Sequence, residues 1–167
     1  RMSRDELRFF PMLQSEEDHP KAWTFPTYLD NPAVPWLTVL KELYASPLAF
    51  PASFSPETGL LLHALVRNIR PRTIVEVGSF LGVSTIWMAA ALEAVTTDPA
   101  HRPAPAGPAI IHCFDDFGPV ARAQWRETEL REPRLDRVRE ALKRARLDHH
   151  VVLHPGDSSV EIRSFRE

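Results

Sequence analysis

The sequence predicts an α/β fold built on a doubly wound parallel sheet, and three features point to it. Thr73 to Val77 is a β-branched, mostly apolar run with one acid inside it, the pattern of a strand buried on both faces. The run breaks at Gly78, turns through Ser79-Phe80-Leu81-Gly82 and resumes at helical spacing from Val83. Two more short apolar runs, 109–114 and 151–154, each lead into a turn that carries acids. Strands and helices therefore alternate along the chain, as parallel strand–helix–strand units require.

Composition bounds the rest. The 167 residues suit one domain. A net charge of −2 gives no support to nucleic acid or a membrane surface as partner. Cys113 is the single cysteine, so no internal disulfide forms, and its apolar surroundings mark it as a small buried hydrophobe. No segment has the length of a membrane span and the start has no signal-peptide apolar core, so cytoplasm is the expected location.

The chain divides into an N-terminal arm and helix, 1–54, and a sheet-forming domain, 55–167. Residues 1–32 scatter Phe9, Phe10, Trp23, Phe25 and Tyr28 among prolines. They are expected to pack on the body as an aromatic clamp or to lie over a pocket as a lid. Residues 33–45 place Trp36, Val39, Leu40 and Leu43 at helical spacing. Ser55-Pro56-Glu57 is a helix start with N-cap, first-position proline and first-turn acid. The helix should reach Ile69, with Leu61, Leu62, Leu65, Val66 and Ile69 on its buried side, and stop at Pro71. The helix after Gly82 runs to about Val95, and the proline-rich 96–108 reads as a surface loop. A helix is expected over 119–131. Another over 134–147 buries Leu135, Val138, Ala141, Leu142 and Ala145 and presents Arg134 and its basic neighbours to solvent, paired with interleaved acids.

The chemistry concentrates at the carboxyl ends of the strands, where ligands of open α/β sheets bind. Gly78 permits a tight turn, and Gly82 lets the next helix come close to whatever lies in that turn. The helix N-terminus offers free N–H groups and a positive dipole end to a carboxylate or phosphate. The spacing Glu76-x-Gly78-x-x-x-Gly82-x-Ser84 is not the G-x-G-x-x-G of dinucleotide folds. It resembles the first motif of class I S-adenosylmethionine-dependent methyltransferases, particularly those similar to catechol and macrocin O-methyltransferases. Phe114-Asp115-Asp116-Phe117-Gly118 resembles the D-S-F-x-G stretch of the macrocin type, and Gly156-Asp157-Ser158 the G-D-S turn of the same families.

The resemblance implies a Rossmann-like domain and the cofactor S-adenosylmethionine. Glu76, Gly78 and Ser84 would hold its methionine end, with Phe80 in contact from the turn. Asp115 would accept from the ribose hydroxyls, and Asp157 and Ser158 would meet the adenine. The implied reaction is methyl transfer to an oxygen of a small-molecule acceptor. The match covers 55–162 but only the first three strands of a seven-stranded family sheet. The catalytic base, and ligands for any Mg²⁺, lie outside it. Missing strands would belong to a longer protein or come from a second copy in a homodimer. His149, His150 and His154 cluster in sequence, but no acid or cysteine completes a ligand set at metal spacing, so no metal site is expected. The other readings of the same crevice are a non-catalytic module and a nicotinamide-dependent oxidoreductase.

Overall fold

The computed structural model describes residues 22–50, 52–97, 109–120 and 131–165. The expected helix over 119–131, Phe9, Phe10 and residues 98–108 of the proline-rich loop fall wholly or largely outside them. The order is α1 (Pro35–Ala45), α2 (Pro56–Ile69), β1 (Thr73–Val77), α3 (Val83–Thr96), β2 (Ile110–Asp115), α4 (Leu135–Ala145), β3 (Val151–Pro155) and α5 (Ser158–Ser164). The three strands form one parallel sheet in the order β1-β2-β3. Glu76 stands beside Cys113, which stands beside Leu153.

One face of the sheet carries Ile74, Glu76, Ile111 and Cys113 and packs into a core with α3, α4 and α1. Nine of the fourteen residues of α3 are buried, which its apolar sequence explains. The opposite face is only partly covered. Phe165, just past α5, packs on Phe114 and on His154, while Val75 and Val77 of β1 face out, Val77 at 60% exposure. Among the described residues, no strand pairs with the outer edge of β1.

The start of α2 follows its sequence. Ser55 Oγ accepts from Thr58 N–H at 3.3 Å, with Pro56 at the first position and Glu57 in the first turn. Its buried side follows in part. Val66 is buried and Leu62 packs against the core as expected, but Leu61, Leu65 and Ile69 point outward, Ile69 at 71% exposure, and Pro56 and Gly59 are buried beside Val66. Apolar residues occupy too wide an arc of α2 for periodicity to choose the inward face. The choice is made by Gly59, which lets α2 sit directly against the indole of Trp87 in α3.

Trp87 is fully buried and donates from Nε1 to Tyr44 Oη at 3.1 Å. Burial pushes the Tyr44 hydroxyl up to about 12, a rise that the Trp87 hydrogen bond opposes and the Glu57 charge assists. A Cβ on Gly59 would overlap the Trp87 ring. Gly59→Ala is therefore expected to lose about 1–2 kcal/mol of stability by overpacking, against the usual helical preference for alanine. A lower midpoint in urea at unchanged slope would show it, and a stabilised variant would disprove the close contact.

On α4, Val138, Ala141, Leu142 and Ala145 are buried as their spacing requires. Arg144 bridges to both carboxylate oxygens of Glu42 on α1, at 2.7 and 2.6 Å. Arg134 departs from the expected solvated row: it is 6% exposed and lies beneath the site described next.

Candidate functional site

The carboxyl ends of the three strands are tied together by main-chain acceptors. Phe114 O accepts from Gly78 N–H at 2.9 Å and from the Ser158 hydroxyl at 3.0 Å. Asp115 O accepts from Gly156 N–H at 3.0 Å. The three turns named by the motifs thus form one continuous rim.

At the floor of the rim, Glu76 is a hydrogen-bonding hub. Its carboxylate accepts from Ser79 Oγ at 2.9 Å, from Thr85 Oγ1 at 2.5 Å, from Ser84 Oγ, and from the Cys113 thiol at 3.1 Å. Burial, followed by the Glu76 charge, pushes the Cys113 thiol far above its ordinary range, so this cysteine is a neutral, inert donor. The motif is therefore self-supporting. The strand acid fixes the hydroxyls of the turn and of the first helical turn, and these fix the path of the chain around Gly78.

A cavity of about 360 Å³ opens at this end of β1, lined among others by Ser53, Phe54, Glu76, Gly78, Phe80 and Ser84. Trp23 braces its far wall by donating from Nε1 to Ser53 O at 2.8 Å and packing edge-on against Phe50. For residues 23–25, the clamp is what the structure contains. Gly78 has φ of +82°, and a Cβ there would meet nothing within 4 Å, so its bare backbone faces open space. Gly82 has φ of +80°, but its Cβ position lies 3.3 Å from Val138 Cγ1. A Cβ there would press on α4, and the positive φ by itself favours glycine. Gly82 starts α3 without a side-chain cap, leaving first-turn amides for another acceptor.

Asp115 is buried and saturated. Oδ1 accepts from Phe117 N–H at 2.7 Å and Arg134 Nη2 at 3.0 Å; Oδ2 accepts from Phe80 N–H at 2.8 Å and Arg134 Nη1 at 3.5 Å. Burial alone would raise its pKa, but the two backbone donors and then Arg134 outweigh it and hold the carboxyl below the usual range. Phe80 and Phe117 both have left-handed backbones, φ of +52° and +48°. Bulky residues avoid that region, and here the carboxylate holds both in it. Arg134 also donates to Phe80 O and Gly118 O, at 2.9 and 2.7 Å, and lies 5.0 Å above the Phe80 ring. Sequence reasoning missed Arg134. The available signal was an arginine at a helix N-terminus, where the dipole disfavours a cation unless acids surround it.

Beside this knot, Asp116 is exposed. Its Oδ1 accepts from Gly118 N–H and Arg134 Nη2, at 2.8 and 2.9 Å. Asp157 is the N-cap of α5, accepting from the Ser159 hydroxyl and amide at 2.6 and 2.8 Å, bonds that hold its carboxyl low. The structure thus gathers Glu76, Gly78, Phe80 and Ser84 around one cavity. It sets Asp115 behind Phe80 and leaves Asp157 and Ser158 two strands away along the rim. No helix among the described residues is long and apolar enough to cross a membrane.

The histidine reading also changes. Glu93 of α3 brings a carboxylate to His149 and His150, supplying the acid that sequence spacing did not reveal. This trio stands at the other end of the sheet, away from the cavity.

No protein-family model and no curated protein matches the sequence. Solved structures do match. One is assigned as an O-methyltransferase from Klebsiella pneumoniae, with TM-score 0.54 and 22% identity over 86% of this chain and 50% of that one. Another is an O-methyltransferase from Bacillus cereus in complex with SAH, with TM-score 0.52 and 23% identity over 77% of this chain and 46% of that one. This chain spans about half the length of each. The likeness establishes the fold: a Rossmann-like sheet arranged as in these O-methyltransferases.

Proposed function

We propose that this chain binds S-adenosylmethionine at the carboxyl end of β1 as the cofactor-binding part of an O-methyltransferase. The observation that carries the reading is the cavity itself. Bare backbone at Gly78, the acceptor side of Ser84 Oγ, which Glu76 fixes, and the uncapped start of α3 meet at one space. That donor and acceptor set fits the zwitterionic end of an amino acid. The α3 amides would meet the carboxylate. Ser84 Oγ gives its proton to Glu76 and so is left as an acceptor, suited to the ammonium.

The ribose falls to the acidic pair after β2. Asp115 has each oxygen already engaged twice, so accepting ribose hydroxyls would require breaking a buried ion pair. Asp116 is the carboxylate open to solvent, and Asp115 positions it through Arg134. Asp157 and Ser158 remain the assignment for the adenine. The cofactor, when bound, supplies an electrophilic methyl group on a sulfonium. The protein's part is to hold and orient it toward an oxygen of a small-molecule acceptor. Glu76 is the one titratable residue lining the cavity, and it is occupied by four donors. No general base is assigned within the described residues.

Gly78→Ala tests the site. Its Cβ would enter space the fold leaves empty, so the cost to stability is the left-handed backbone alone, about 1–2 kcal/mol. Affinity for S-adenosylhomocysteine, measured by calorimetry, is expected to fall at least tenfold. An unchanged affinity in the folded variant would place the cofactor elsewhere.

A further inference from the structure

At the amino-terminal end of the sheet, the last turns of α3 meet the short 3₁₀ turn 148–150 that leads into β3. His150 is 1% exposed there. Its Nδ1 lies 2.9 Å from the carbonyl oxygen of Ala109, which can only accept, so Nδ1 carries the ring proton. Nε2 of a neutral His150 is then a bare lone pair, yet it faces Glu93 Oε2 at 3.0 Å. His149 Nε2 approaches the same oxygen at 3.0 Å. Two imidazole nitrogens and a carboxylate thus converge, with all three donor atoms within 4.8 Å of one another.

Such a set needs positive charge at its centre. One added proton on His150 would serve it and Glu93, with neutral His149 donating its own Nε2–H to the same oxygen. A divalent ion also satisfies all three donors together. The two nitrogen–oxygen separations, 3.0 Å each, are close to the roughly 3.3 Å between donors that tetrahedral bonds of about 2.0–2.1 Å require. The Ala109 carbonyl on the far ring nitrogen is the kind of outer contact that fixes a ligating histidine. His149 and Glu93 are partly exposed, so an ion can reach the three groups from solvent.

We propose that Glu93, His149 and His150 form a zinc-type site for a divalent transition metal, which staples the end of α3 to the entry of β3. Nitrogen-rich sets of this kind favour zinc, cobalt and their neighbours over Mg²⁺. The site is separate from the cofactor cavity, so its role is structural.

The test is a titration of the metal-free full chain with Zn²⁺ at pH 7.5, and with Co²⁺ read by its visible absorbance. One equivalent is expected to bind and to raise the melting temperature. Glu93→Gln and His149→Gln, both at partly exposed positions, should stay folded by circular dichroism and each weaken binding at least tenfold. His154→Gln should leave binding unchanged, and acid should weaken binding as protons compete for the nitrogens. A folded chain that takes up no metal would overturn the proposal. So would one-equivalent binding that either Glu93→Gln or His149→Gln leaves within tenfold of the original. In that case the trio is a proton-shared link and any ion sits elsewhere.

Discussion

Asp115→Ala is expected to lower the unfolding free energy by about 3–5 kcal/mol, the range for breaking a buried ion pair by removing one partner. Arg134 would keep its charge at 6% exposure with only Asp116 and two carbonyls as partners. Phe80 and Phe117 would lose the acceptor that holds their left-handed turns. Domains of this size are stable by about 5–15 kcal/mol in all, so the variant should be close to unfolding at 37 °C. Asp115→Asn with Arg134→Met should lose less than the two single changes added together, because the pair then leaves no bare charge.

The acid dependence has a definite sign. The folded-state carboxyl of Asp115 is held below its ordinary value. Its stabilisation is therefore complete above the unfolded value of about 3.9 and is lost as pH falls through the folded value. Wild type should lose stability below about pH 4 more steeply than Asp115→Asn. Parallel acid-unfolding curves for the two would contradict the assignment.

Glu76→Ala carries the second large effect. Ser79, Thr85 and Cys113 are buried and would lose their shared acceptor. At about 1–3 kcal/mol for each unsatisfied buried polar group, with partial rescue of Thr85 by the helix backbone, the loss should be about 3 kcal/mol. Chemical denaturation measures it, and the thiol supplies a second readout. Cys113 should react with a maleimide only on global unfolding in wild type, and faster in the variant as the first turn of α3 loosens. A loss under about 1 kcal/mol with an unreactive thiol would show that the hub is dispensable.

These two residues also show how far the sequence could be read. The strand–turn–helix around Gly78 was legible because its signals are local: a β-branched run, two glycines at fixed spacing and a helical restart. The N-cap at Ser55 was legible for the same reason. The acid at the end of β2 was visible as an acid, but not as the anchor of two strained phenylalanines. Its partner Arg134 arrives from 19 residues further on, and in sequence only its place at the start of α4 sets it apart from that helix's arginines. The Glu93 set was hidden more deeply, since its partners lie 56 and 57 residues apart. On α2, apolar residues fill too wide an arc for spacing to show that Leu61, Leu65 and Ile69 face outward. Contacts across the fold decided each of these positions.

Asp115→Ala would therefore be a poor probe of the ribose, since its structural loss would mask any loss of contact. The central claim is tested most directly by calorimetric titration of this chain, shown folded by circular dichroism, with S-adenosylhomocysteine and in parallel with NAD. The account predicts saturable one-to-one binding of S-adenosylhomocysteine and no heat of binding from NAD. A folded chain that binds NAD, or that binds neither nucleotide, would contradict it.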